Sequence, residues 1–409
     1  MLASLRATRY PVEIALLLAL CFFLPLLEAP KNLLWVAYVL AWVVNRVRAG
    51  DWGGRWDLWD TLIAAWIASG FVVAAFAGLD GQQWRGAGDL LRYGSVLWLV
   101  KRAGYPPREL RWVLGMLVAS AVVGLAIGHG RIWSGLGKSG TLQLHSVGHV
   151  NHTAIYIAIM LGVCASWLFA RWRAWRAGTR AVALAVSTLV LVSLLITASR
   201  GAIGIGLVMV LILALAWWPR WRAPAGLSAA LVAIVVVGAI FSGAEVTQKY
   251  EQNLATDNVL SHRDGLWRVA LSAWQRHPWF GVGMDNYSRI TLERVKAWRA
   301  EAGRPYDEKR YFISSHAHSL YANTLAERGV VGSAVLAVVL LAWAGYLVRY
   351  RPSGDSPDDE WLVWGAAAGA WIVTTGAGLA NTTLHHEHGM LAALLLGLWL
   401  SRLRARRAS

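Results

Sequence analysis

The sequence predicts an all-α fold: a polytopic integral membrane protein with about twelve transmembrane helices and a large helical loop between the ninth and tenth. Three observations carry that expectation. Hydrophobic residues make up 57% of the chain and its mean hydropathy is +0.45, too apolar for an ordinary soluble protein. Apolar stretches of membrane-crossing length recur from one end to the other. The 25 tryptophans cluster at the ends of those stretches, as at Trp52, Trp56, Trp59, Trp217, Trp218 and Trp221, where amphipathic rings favour the membrane–water boundary.

The first span covers 12–28. No convincing small-residue cleavage site follows its apolar run from Val12 to Leu27, so it reads as a retained span rather than a signal peptide. Further spans are expected at 32–45, 58–79, 88–100, 111–128, 151–170, 181–198, 201–218, 226–243, 319–348, 361–380 and 389–402. The second and fourth are short for a full crossing and are expected to tilt, pair or re-enter. The tenth should break near Gly329. With the N-terminus inside, every even-numbered boundary carries a basic cluster. These are Arg46 and Arg48; Lys101, Arg102, Arg108 and Arg111; Arg171, Arg173, Arg176 and Arg180; Arg220 and Arg222; Arg349 and Arg351; and Arg402, Arg404, Arg406 and Arg407. The positive-inside rule then places both termini in the cytoplasm. The same alternation excludes a nucleic-acid partner as the reason for the net charge of +16, because the basic residues form no single stripe. Cys21 and Cys164 both fall inside spans, which excludes a disulfide framework.

The expected organisation is nine spans over 1–243, an outer loop domain over 244–317, and three spans with a short cytoplasmic tail over 318–409. A loop of roughly seventy residues is far longer than most connections and should have structure and function of its own. Ser261 and Asp264 have the spacing of a capping box. They open a helix through Leu266, Trp267, Ala270, Leu271 and Trp274 that stops at His277-Pro278. Gly281 and Gly283 make a turn. A second amphipathic helix is expected from Asp285 to Ala302, with Tyr287, Ile290, Val295 and Trp298 apolar, and Gly303, Arg304 and Pro305 end it.

All 11 histidines fall on the outer side or at the outer ends of spans, which makes that face the working one. His316 and His318, at the start of the tenth span, offer proton acceptors partly withdrawn from water. The plainer account is interfacial rings hydrogen-bonded to backbone. Arg200, in TASRG, sits at the outer end of the seventh span, either meeting an anion or snorkelling to headgroups. Arg263 opens the first loop helix, either binding an anion or pairing with Asp264. The planar guanidinium fork suits phosphate. His149, Asn151 and His152 begin the sixth span, as donors near the site or as helix caps.

The run Thr197-Ala-Ser-Arg200-Gly, Arg263 before Trp267, the PWFGVGMDNY turn and HAHSLYANTLAERGVVG, in this order, resemble the O-antigen ligase and polymerase family of bacterial envelope glycosyltransferases. The resemblance is densest over about 195–335 and implies a transferase of the GT-C type in the bacterial inner membrane. Its partners would be undecaprenyl-diphosphate-linked O-antigen, lipid A–core oligosaccharide and membrane lipids, with the glycan passing to a core hydroxyl on the periplasmic side. The resemblance implies inversion at the sugar carbon and no metal, ATP or other cofactor. It makes His318 the general base, His316 its orienting neighbour, and Arg200 and Arg263 the diphosphate clamp. His149, Asn151 and Ser319 are accessory residues. Ser319 stands where the family commonly has Asn after its His-x-His motif. Arg131 and Lys138, between the fifth and sixth spans, are placed to meet a phosphorylated acceptor or simply to be solvated.

Three rivals stand beside the ligase reading. An O-antigen polymerase would do the same chemistry on a carrier-linked acceptor. A protein O-oligosaccharyltransferase is disfavoured by a chain that ends seven residues after the last span, at Ser409. A metal transporter or metal-dependent enzyme would use His385-His386-Glu387-His388 with His316 and His318. Against it, the adjacent histidines of HHEH are not expected all to face one ion, although 385 and 388 would share a face of a helical segment, and no acidic or histidine residues line the spans as an ion path requires.

Overall fold

The computed structural model describes residues 5–78, 81–136, 141–217 and 263–408. The ninth span expected at 226–243, together with Lys138, Arg220, Arg222, Ser261 and His262, lies outside the described residues. Eight long helices precede residue 218: α1 (Pro11–Phe23), α2 (Glu28–Ala49), α3 (Leu58–Phe76), α4 (Gln83–Ala103), α5 (Pro107–Trp133), α6 (Val150–Arg171), α7 (Ala177–Ile196) and α8 (Arg200–Trp217). The described part of the long loop holds α9 (Arg263–Arg276) and α10 (Leu292–Glu301). It is followed by α11 (Leu320–Arg349), α12 (Asp358–Ala377) and α13 (His386–Ala408). Six of these helices, α3, α5, α6, α7, α8 and α11, are long and apolar enough to cross a membrane. A helix stands at each expected span that the structure describes; the total of twelve crossings rests on the sequence alone.

α2 and α4 depart from the expectation of short or re-entrant segments, running for 22 and 21 residues. Hydropathy underestimates them because their polar ends are paired inside the bundle. Lys31 bonds Glu387, and Arg92 reaches both Asn32 and Asp89. At the other end Arg46 pairs with Glu13 at 3.2 Å, while Lys101 and Arg102 hold Asp60 at 2.7 and 2.9 Å. Several cations that set the orientation by sequence are therefore also buried structural partners, and removing one leaves an uncompensated charge.

α6 is the central helix. It is apolar around its whole circumference and buried along nearly all its length, as such a helix must be. Its close neighbour α12 carries Gly365-Ala-Ala-Ala-Gly369, and Gly369 meets Gly162 of α6 so closely that a methyl group would lie 3.2 Å from the Gly162 Cα. Small residues at such spacing let helices approach within van der Waals contact where lipid provides no hydrophobic drive.

The helix ends sort into two layers. In one, Arg111 and Arg171 meet Asp359 and Asp358, and Arg402 meets Glu360. In the other, Ser199 meets Asn151, Leu320 meets Gly378, and Gln83 meets Asn286 of the loop. This second layer contains all the described candidate residues.

The loop has a small core of its own, built from Val269, Ala270, Ala273, Val282, Tyr287, Ile290 and Val295 with Ala317 and Ala326. α9 ends before His277-Pro278 as expected, but Trp267 and Leu271 face outward, and Leu266, Val269, Ala270 and Ala273 are the buried face. The second loop helix is shorter than expected. Asp285 has φ 61, which no helix start tolerates, and Tyr287–Arg289 form only a 3-10 turn before Thr291 caps α10.

The break in α11 is at Gly329, with φ 58 and ψ −159, where a β-carbon is all but forbidden. The exposed backbone is taken up by the PWFGVG segment: Val330 and Val331 N–H donate to the carbonyls of Pro278 and Trp279, and Val282 and Gly283 N–H donate to those of Ala326 and Glu327. A Cβ on Gly329 would lie 2.4 Å from the Trp279 carbonyl. Gly329→Ala is expected to destabilise the protein by about 2–4 kcal/mol through strain and lost pairing. Thermal denaturation in detergent checks this, with Gly345→Ala, which has open space around it, as the neutral control.

A histidine and arginine cluster at one end of the bundle

The chain enters α11 through Ser315-His316-Ala317-His318-Ser319, and each backbone step there is pinned. Asn323 accepts from the Ala317 N–H at 3.0 Å and donates to Glu327 at 2.9 Å; Glu327 in turn accepts from Tyr287 N–H. Ser319 caps α11 by accepting from Ala322 N–H, and its hydroxyl donates to the Gly378 carbonyl at 3.3 Å. Its side chain thus serves the backbone. His318 has φ 47, a left-handed conformation that turns its ring away from the helix.

The rings of His316 and His318 are 4.4 Å apart, centre to centre. The side chain of Asn381 lies against His318 and favours its protonated ring. Burial, followed by the nearby Arg263 charge, holds His318 below the ordinary imidazole range. Burial and the neighbouring His318 push His316 down to about 3. Both rings are therefore neutral acceptors at neutral pH.

Arg263 completes this side. Its guanidinium is depressed by burial and by the charge of Arg200, and its buried Nε has no hydrogen-bond partner among the described residues. Asp264 is exposed, and among the described residues no ion pair joins it to Arg263. Arg200 is the first residue of α8, after Ala198 at φ 52, and α7 and α8 meet at this sharp turn. Two mutually repelling guanidiniums beside neutral imidazoles have the chemistry to take up an anion. Asn151 accepts from the Ser199 hydroxyl at 3.1 Å, which ties the start of α6 to that turn. His149 caps α6 by accepting from Asn151 N–H, and it lies near both His316 and His318.

The structure thus brings together His318, His316, Arg263, Arg200, His149, Asn151 and Ser319. It leaves Arg131 on an exposed turn beside His145. The residues that the sequence reading missed are Asn381 and Asn323. The only available signal for Asn381 was the polar run NTTLHHEH between two apolar stretches.

That run corrects one expectation. His385 and His386 do face the same point, with rings 3.8 Å apart, and both lie near His152, at 5.8 and 5.0 Å. Leu384 and His386, at φ 54 and 46, break the helical register that would have separated them. His388 is also beside His152, at 5.2 Å. Seven of the 11 histidines therefore form one cluster. Of the others described, His129 bonds Ser193, and His277 packs on Trp298.

Compared with known proteins, residues 185–337 match the family described as O-antigen ligase, a stretch that includes Arg200, Arg263, His316, His318 and Gly329. No curated protein sequence matches the chain.

Proposed function

We propose that this member of the O-antigen ligase family is the ligase itself, transferring a glycan from undecaprenyl diphosphate to a hydroxyl of lipid A–core oligosaccharide on the periplasmic side of the inner membrane. One observation carries the reading: Arg263, with a buried unpartnered donor and the repelling charge of Arg200 beside it, faces a neutral His318. An anionic leaving group and a proton acceptor are what this chemistry needs on its two sides.

In the proposed step the acceptor hydroxyl attacks the anomeric carbon and passes its proton to the free ring nitrogen of His318. The bond from that carbon to the phosphate oxygen breaks, and the electron pair leaves on the diphosphate. Arg200 and Arg263 meet the charge that develops there. Asn381 and His316 both lie against the base and hold its ring in place. Attack opposite the leaving group inverts the anomeric configuration. No step requires a metal or a nucleotide, because the donor is already activated as a diphosphate.

The experiment is deletion of the protein from its host and inspection of the carrier lipid. Full-length polymer stranded on undecaprenyl diphosphate, with bare lipid A–core, is the expected result. Single repeat units on the carrier would assign the chain to polymerisation instead.

A further inference from the structure

The connection between α12 and α13 performs a task that the transfer step does not use. Its sequence, Thr382-Thr383-Leu384-His385-His386-Glu387-His388, contains two non-glycine residues in the left-handed region, Leu384 at φ 54 and His386 at φ 46. Such backbone is found where surrounding structure over-determines it, commonly at ligand-holding sites. Its effect here is to fold two consecutive imidazoles onto one side, where a regular helix would turn them about 100° apart. His152, from the first turn of α6, closes the group. One nitrogen from each of His152, His385 and His386 lies within 4.8 Å of the others.

The chemistry of this group is specific. The three donor atoms that converge are all imidazole nitrogens; Glu387 is held by Lys31 and by the Ser146 hydroxyl at 2.7 Å, and the Asp285 and Asp89 carboxylates lie near His385 outside the group. Hard cations such as Ca²⁺ and Mg²⁺ require oxygen, whereas borderline cations take imidazole. The Nδ1 atoms of His385 and His388 are buried without partners, and such atoms are rare unless a ligand meets them. His152 is buried while His386 is exposed, so the group has a solid base and an open mouth.

We infer that His152, His385 and His386 form a binding site for one borderline divalent cation of the zinc class, which clamps the 378–386 connection onto α6. A tetrahedral zinc site with bonds of 2.0–2.1 Å sets its nitrogens about 3.3 Å apart, so the rings need only rotate inward, with the exposed His386 moving most. Three protein donors leave a fourth position free, and the nearest further rings are His388 and His316, 5.2 and 5.5 Å from His152. The clamp bears on the base indirectly. Asn381 and Gly378, in the same connection, hold His318 and the start of α11. The site is independent of the transfer reading: the cation touches neither substrate and enters no step.

The test uses full-length protein without a histidine tag, stripped with chelator and held in detergent. Zn²⁺ is titrated against a chromophoric competitor, with X-ray absorption at the zinc edge and thermal denaturation read in parallel. The expected results are one Zn²⁺ per chain, a zinc shell with three imidazole nitrogens, and a melting temperature that rises with free Zn²⁺. His386→Asn, chosen because Asn tolerates left-handed backbone, is expected to weaken binding at least tenfold and to abolish the thermal shift. Transfer by the chelated variant should stay near that of chelated wild type. Equal Zn²⁺ affinity in wild type and His386→Asn, or a shell dominated by oxygen, would overturn the site. Bound zinc together with transfer that vanishes in chelator would support the site and remove the metal-free transfer step, so the two readings fail separately.

Discussion

Replacing His318 with Ala is expected to reduce transfer by about a hundred- to ten-thousandfold, or roughly 3–5 kcal/mol of barrier, while the lipid-diphosphate donor still binds. The separation follows from the geometry. The proposed anion-binding groups, Arg200 and Arg263, stand on α8 and α9, separate helices from the 315–319 segment that carries His318. The donor affinity of the variant, measured with purified protein, therefore distinguishes a base from a structural ring, whose loss would remove folded protein and donor binding together. A pH profile adds a second readout. Burial, and then the Arg263 charge, lowers the His318 pKa. Wild-type transfer should therefore persist below pH 6.5, about where an ordinary imidazole becomes protonated, and fail only at more acid pH. Arg263→Gln removes the largest lowering influence after burial, so its residual activity should fall away at a higher pH than wild type. Robust transfer by His318→Ala, or a product of retained anomeric configuration, would sink the mechanism.

How much of this could be read beforehand depended on whether local pattern or distant contact decided it. The helices at the eleven described spans, the stop at His277-Pro278 and the break at Gly329 were legible because hydropathy, proline and glycine act within a few residues. α2 and α4 were read too short because Lys31, Arg46, Lys101 and Arg102 look like loop residues until Glu387, Glu13 and Asp60 are brought against them. The site was legible in its members and not in its support. His316, His318, Arg200 and Arg263 stood out as charged or titratable groups at the edges of apolar runs. Asn381 and Asn323 did not, because an amide has no signature until its partner is known. The convergence of His385 with His386 was misjudged for a related reason: it depends on two left-handed residues, Leu384 and His386, that composition would not place there.

The second large effect is expected at the arginines. If Arg200 and Arg263 hold the diphosphate, Lys at either position should lower transfer about ten- to hundredfold, because a point charge cannot reproduce the two-pronged fit of a guanidinium to phosphate. Ala at both should cost about a thousandfold or more, with weaker donor binding as well as slower turnover. Stability gives the discriminating measurement. In the substrate-free protein Arg263 is half-buried, has an unpartnered Nε, and is pushed away from its charged state by Arg200. Relieving that repulsion with Arg263→Gln should leave the melting temperature unchanged or higher, even as transfer collapses, since sites arranged for function are commonly not optimal for folding. A structural ion pair predicts the opposite, a destabilised chain with the remaining fraction fully active. Normal transfer by the double variant Arg200→Lys with Arg263→Lys would remove the clamp, leaving Arg200 as a headgroup anchor and Arg263 as a surface charge. A fall in transfer that accompanies unchanged stability and weakened donor binding would place both guanidiniums on the leaving group, opposite the proton acceptor at His318.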